Sequence, residues 1–234
     1  MLLLLMPLVS AVTIPLILNV EDVFRITDAH LSSLKITPTA GVGANLTLTI
    51  RTSSSATVEA LFLGQVIELN GSDLFETALH LPYDLAPGNY SIAISARAGS
   101  ETATQQLSFV YNPLAAVLLD LPKLDTKKLV PGDTLFVEGD EDLKTTKPTL
   151  YNAGNVPVTL AISAETPYDG EEKIALANVQ FAIGDDEFGP LKTATQEKSI
   201  SLQPGETIPF HLKITVPMAS GAGTYVGAVK ITAR

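Results

Sequence analysis

Leu46, Leu48 and Ile50 alternate with Thr47 and Thr49, and a period of two is what a strand with one buried face requires. Further short apolar segments follow at 58–63, 66–69, 75–81, 90–97 and 107–111. Gly64-Gln65 separates the first two, and Asn70-Gly71 follows the second. Both residues of an Asn-Gly pair accept positive φ, so this pair predicts a tight hairpin. No 3.6-residue period persists long enough to propose a helix. Strands every 8–12 residues with turn signals between them indicate a β-sandwich.

Asn112-Pro113 marks a boundary, because proline both stops a strand and stiffens a linker. Beyond it, strands are expected at 116–121, 134–138, 148–151, 156–164, 179–183, 199–202, 207–216 and 225–233. Asn152-Ala153-Gly154-Asn155 and Gln203-Pro204-Gly205-Glu206 read as turns. The expected architecture is all-β, with two tandem immunoglobulin-like sandwiches at 22–112 and 113–234.

A repeat relates the two halves. Leu79-His80-Leu81-Pro82, five residues, then Gly88-Asn89-Tyr90 leads into Ile92 and Ile94. Ile214-Thr215-Val216-Pro217, five residues, then Gly223-Thr224-Tyr225 leads into Val229 and Ile231. Proline ends one strand, glycine lets the chain reverse, and tyrosine anchors the next strand. The spacing resembles the tyrosine corner of immunoglobulin-like sandwiches, where that tyrosine begins the penultimate strand. After Tyr90 the first domain turns at Ala98-Gly99-Ser100 and adds a final strand, whereas the second domain is expected to lack its last strand.

That expectation leaves an acceptor edge along Tyr225, Val229 and Ile231, beside an open core. The topology could be a variant that needs no such strand, the edge could stay exposed, or another chain could supply the strand. A candidate donor lies at 12–21, where Ile14, Leu16, Leu18 and Val20 share one face. The alternatives for this segment are a first strand of its own domain or the end of a longer export signal.

The N-terminus narrows the setting. Residues 1–9 are apolar, and Val9-Ser10-Ala11 has the small-residue spacing of a signal-peptidase site, so 1–11 is expected to be a leader. A transmembrane helix is the rival, but Pro7 and Pro15 interrupt a stretch that would need ~20 clean residues. An exported, extracellular or cell-surface protein is expected.

Composition limits the chemistry. The formal net charge is −10, and Lys123, Lys127 and Lys128 are interrupted by Asp125, which argues against nucleic acid as a partner. The chain has no Cys and three His. Alternation sets His80 and His211 on the outside of a sheet, and no metal-ligand spacing surrounds them or His30. There is no nucleophile elbow, and the Gly pairs at Gly41/Gly43 and Gly221/Gly223 precede strands rather than helices. No catalytic, cofactor or metal residue is expected, and the chain is read as a non-enzyme. The acidic clusters Glu138/Asp140/Asp142 and Asp185-Asp186-Glu187 invite a calcium reading. Leu143 and Thr149 stand where a calcium loop needs Gly and Glu, so solvated loops are expected. The sequons at Asn45, Asn70 and Asn89 are candidate glycosylation sites.

The second half carries Val130-Pro131-Gly132-Asp133, Tyr151-Asn152-Ala153-Gly154-Asn155-Val156-Pro157-Val158 and Leu202-Gln203-Pro204-Gly205-Glu206. With the closing proline-to-tyrosine segment, these resemble a type of prokaryotic cell-surface sandwich. It is similar to camelysin-like biofilm fibre subunits and to archaeal bundling pili and threads. The resemblance covers about the last hundred residues, and those relatives are usually single sandwiches. It implies a structural subunit of an extracellular filament or surface layer, joined to copies of itself by donated β-strands. An adhesin or carbohydrate-binding module contacting surface glycans is the alternative.

Overall fold

The computed structural model describes residues 23–121, 123–124 and 129–234. The leader at 1–11 and the donor positions Ile14, Leu16, Leu18 and Val20 lie outside the described residues.

Eight strands build the first sandwich: β1 (Ile26–Leu31), β2 (Lys35–Ile36), β3 (Ala44–Thr52), β4 (Thr57–Phe62), β5 (Gln65–Leu69), β6 (Leu74–Leu81), β7 (Gly88–Ala98) and β8 (Glu101–Tyr111). One sheet has the order β1-β3-β6, and the facing sheet β2-β8-β7-β4-β5. All pairings are antiparallel except β2 with β8, which is parallel. The alternation at 46–50 does what it predicts, since Leu46, Leu48 and Ile50 are fully enclosed. They meet Phe75, Ile92, Ile94, Phe109 and Tyr111 in one core. Each such burial contributes ~1.5–3 kcal/mol before conformational entropy is subtracted.

The Asn70-Gly71 hairpin does not form. β5 and β6 belong to opposite sheets, so the chain at 70–73 crosses the sandwich instead of reversing. The reversal lies at Leu63-Gly64, where φ is 49° and 77°, and it pairs β4 with β5. The cause is tertiary: Phe75, Leu79 and Leu81 can reach the core only if β6 pairs with β3. Strands β1 and β2 had no clear alternation to announce them.

The second sandwich comprises β9 (Val117–Leu119), β10 (Thr134–Val137), β11 (Thr149–Asn152), β12 (Val158–Ala164), β13 (Val179–Ile183), β14 (Gly189–Pro190), β15 (Gln196–Leu202), β16 (Thr207–Thr215) and β17 (Val229–Ala233). A six-stranded sheet runs β14-β13-β16-β11-β9, with β10 also against β16, and it faces a three-stranded sheet β15-β12-β17. A second core is enclosed between them, including Leu150, Leu160, Ile162, Phe181 and Phe210. The one helical element among the described residues is a 3-10 turn, Leu176–Asn178.

A polar joint connects the sandwiches. Asn155, 3% exposed, donates from Nδ2 to Leu85 O and Asn112 O, and its Oδ1 accepts from Leu114 N. Gly41 N donates to Ala153 O across the same joint. Asn152 is fully buried and bonds Val156 O, Leu202 O and Gly154 N through its side chain. A Cβ on Gly154 would stand 2.1 Å from Leu114 O, so only glycine fits there. The turn expected at 152–155 therefore also joins the two sandwiches.

Candidate functional site

The two halves of the repeat fold alike at one point. Tyr90 starts β7's buried stretch and its hydroxyl donates to Ala86 O at 2.6 Å, four residues upstream. Tyr225 precedes β17 and its hydroxyl donates to Gly221 O at 3.2 Å, also four residues upstream. This is the tyrosine-corner bond, repeated in both halves, and it identifies β7 and β17 as equivalent strands. The fold is immunoglobulin-like.

The equivalence makes the difference between β7 and β17 informative. In the immunoglobulin-like frame of the first sandwich, β7 lies between β4 and β8, and Ile92, Ile94 and Ala96 are fully enclosed. β17 pairs with β12, and among the described residues no strand lies on its other side. Val229, Ile231 and Ala233 point toward the core yet stay half-buried, because nothing in the described residues covers them from that side. Across the gap stands β9, the edge of the facing sheet.

Between these two edges is an apolar groove of about 250 Å³, lined by Val117, Leu118, Leu119, Leu121, Leu150, Val229 and Ile231. The backbone polarity of β17 follows from its pairing. Thr159 and Arg234 exchange both N–H···O bonds, at 2.8 and 2.9 Å, so Thr232 and Lys230 also bond inward to β12. Val229, Ile231 and Ala233 therefore direct their N–H and C=O groups at the open edge. Tyr225 stands at the strand's entrance, where its hydroxyl also meets Glu172 Oε2 at 3.1 Å. Burial, then the Glu172 carboxylate, pushes this phenol above its usual range.

The other singled-out residues lie elsewhere. Asn45, Asn70 and Asn89 are all exposed on the first sandwich, and Asn45 Oδ1 pairs with His80 Nδ1 at 3.1 Å. His80 faces outward and is exposed. His211 faces outward too but is half-buried, because Phe136 and Phe188 pack on its ring and Gly139 N donates to its Nδ1. Asp140 spends both carboxylate oxygens on Thr145 Oγ1, with Oδ1 also taking Asp142 N and Thr149 Oγ1. Glu138 pairs with Lys147, and Asp186 with Lys198. Among the described residues no three His, Asp or Glu converge in a geometry that would hold a metal ion.

None of the family models compared matches the sequence, and no curated protein matches it. Among solved structures, a chain of the CsuC–CsuE chaperone–tip adhesion subunit pre-assembly complex from archaic chaperone-usher Csu pili of Acinetobacter baumannii is similar over 88% of this chain and 100% of that one, at 11% identity and a TM-score of 0.39. The titin tandem A164–A165 is similar over 88% of this chain and 95% of that one, at 14% identity and a TM-score of 0.28. Salmonella alpha-2-macroglobulin is similar over 88% of this chain, at 14% identity and a TM-score of 0.31, and this chain spans 16% of its length. At these values the likeness is one of sandwich architecture alone.

Proposed function

We propose that this chain is a structural subunit of an extracellular filament or surface layer, polymerising by β-strand donation between copies. The observation that carries the reading is the apolar groove beside β17, where three core-facing side chains and their ladder groups meet solvent on the same edge. A bare edge of this kind templates uncontrolled association unless something covers it. Strand addition covers it with main-chain hydrogen bonds, and alternate side chains fill the core beneath.

The segment at 12–21 has the matching pattern. Seating Ile14, Leu16, Leu18 and Val20 would contribute ~1.5–3 kcal/mol each, before the cost of ordering the segment. The leader-like 1–11 favours a site outside the cell, and the reading contains no catalytic step or cofactor. Copies of the chain are the partners, and exposed Asn45, Asn70 and Asn89 are candidate sites for N-linked glycosylation of the subunit itself.

Light scattering and negative-stain microscopy of the mature chain, against a variant lacking 12–20, test this. The intact chain should form long multimers with rising concentration, and the deletion variant should remain monomeric and folded. Monomers from both, at all concentrations, overturn the reading.

A second reading has one observation in its favour. Phe136, 54% exposed, forms an outward aromatic patch with Phe188 and His211, and such a platform suits an adhesin that stacks on sugar rings. A glycan array on the monomeric variant separates the two, since binding there requires no assembly.

A further inference from the structure

We propose that residues 14–20 of one copy run antiparallel along β17 of another, entering from the pole of the second sandwich that faces away from its own first sandwich. Copies would then join head to tail in an open-ended row. The inference rests on the strand-donation reading and adds its register, its polarity and its exclusion of self-insertion.

Register comes from a coincidence of periods. On β17 the residues that pack on the core are also those whose N–H and C=O face the open edge, namely Val229, Ile231 and Ala233. Opposite residues of a ladder share a face, so the donor residues that fill the core must also be the ones that bond to β17. With Ile14, Leu16, Leu18 and Val20 inward, Pro15 occupies an intervening position, and the N–H it lacks points away from β17. A slip of one residue would set Pro15 against β17 without a donor and turn Thr13, Ile17 and Asn19 into the core. Only registers that differ by an even number of residues therefore satisfy both the apolar face and the proline.

Reach excludes insertion into the same chain. Phe24 N bonds Glu101 Oε2, which places the start of the first sandwich beside the first residue of β8. The last residue of β8, Tyr111, lies at the joint, where the next carbonyl, Asn112 O, accepts from Asn155. Eleven residues of strand separate those poles by about 33 Å. Val20 is three residues before Val23 and can extend only ~10 Å from it. Even Ile14, fully extended, comes ~32 Å from Val23 and only touches the joint. Leu16, Leu18 and Val20 fall short of their own groove.

Polarity follows from what stands at each end. β17 runs toward the joint, because Arg234 bonds Thr159 close to Asn155 and Ala153. A copy's own first sandwich occupies that end. An arriving donor brings its first sandwich within ~10 Å of its Val20, so Val20 must lie at the open pole near Val229. The donor then runs antiparallel to β17, as β8 runs against β7 in the first sandwich. With donor and acceptor on different surfaces at opposite poles of one chain, the contact is heterologous, and a row of copies keeps a free donor at one end and a free groove at the other.

The chain has no Cys, so paired cysteines report the contact without background. In the full chain, Ile17→Cys with Lys230→Cys, and Asn19→Cys with Lys230→Cys, put both thiols on the outward face and cover adjacent registers. On mild oxidation at least one pair should shift most of the chain into a covalent ladder on a non-reducing gel. Thr13→Cys with Lys230→Cys should give no ladder beyond the single-cysteine controls, since Cα separations past ~7 Å are not bridged. A covalently closed monomer, or a ladder strongest for the Thr13 pair, overturns the proposed geometry. No cross-link in chains that still assemble by light scattering overturns it too, while leaving a homopolymer made another way. Failure of the unmodified chain to assemble at all overturns the strand-donation reading itself.

Discussion

Asn155 shows how much one side chain can hold. Its three bonds tie the linker carbonyl of Asn112, the amide of Leu114 and the Leu85 carbonyl of the first sandwich to one point. Asn155→Ala leaves those groups without partners at a cost of about 1–3 kcal/mol for each that water cannot reach. Calorimetry should then resolve two unfolding transitions where the native chain shows more closely coupled ones. Asn155→Asp keeps the acceptor for Leu114 but sets a buried carboxylate oxygen against the Leu85 and Asn112 carbonyls, so it should cost more than Asn155→Ala. Leu63 carries the opposite lesson, since a φ of 49° is strained for a branched side chain. Leu63→Asn supplies the Asn-Gly pair that such a turn favours and should stabilise the first sandwich by about 1 kcal/mol in thermal melts. Asp169 gives a pH signature. Amide bonds from Glu172 and then Glu171 hold its carboxyl below the ordinary value, against the opposing effect of partial desolvation. A depressed folded pKa means the bonds stabilise the loop above the unfolded pKa of about 3.9 and are lost as pH falls through the lower folded value. Both amides bond Oδ1, so Asp169→Asn should retain the loop geometry and abolish that acid-dependent change in amide exchange.

At the scale of strands, β7 and β17 start from the same tyrosine bond and end in different surroundings. Ile94 is 2% exposed between two neighbouring strands, whereas Ile231 is half-buried at an edge. Ile94→Ala should cost about 2–4 kcal/mol in chemical denaturation. Ile231→Ala should cost about half as much in the monomer, and should approach the Ile94 value only in assembled material. An equal cost in the monomer would mean that Ile231 is already enclosed. The alternation of β3 was plain in sequence because one face is buried and the other wet. β1 was not, since it mixes polar and apolar residues on both faces, and β2 has only two residues, too few to show a period. Asn70-Gly71 misled because a turn signal reports local backbone preference, and the core pairing of β6 with β3 overrides it.

The whole molecule is two sandwiches joined at the 152–155 turn, and it carries a formal net charge of −10. Like-charged subunits repel at distances that salt screens, with a Debye length of ~10 Å at 0.1 M. Multimer formation should therefore strengthen from low salt to about 0.15 M and change little beyond, because the proposed contact itself is apolar. Scattering intensity across a salt series measures this, and a steady loss with salt would point to an electrostatic contact. What the sequence determined by itself is what short-range periodicity encodes: the all-β class, most of the strands, and the proline-to-tyrosine repeat. It also showed the excess of acidic groups. Tertiary structure alone decided that Asn155 is a joint rather than a loop residue, since its partners lie 41, 43 and 70 residues away. It also decided that β9 and β17 face each other across an apolar gap. Which two edges of a sandwich come face to face depends on how distant strands pair, and no local pattern carries that information.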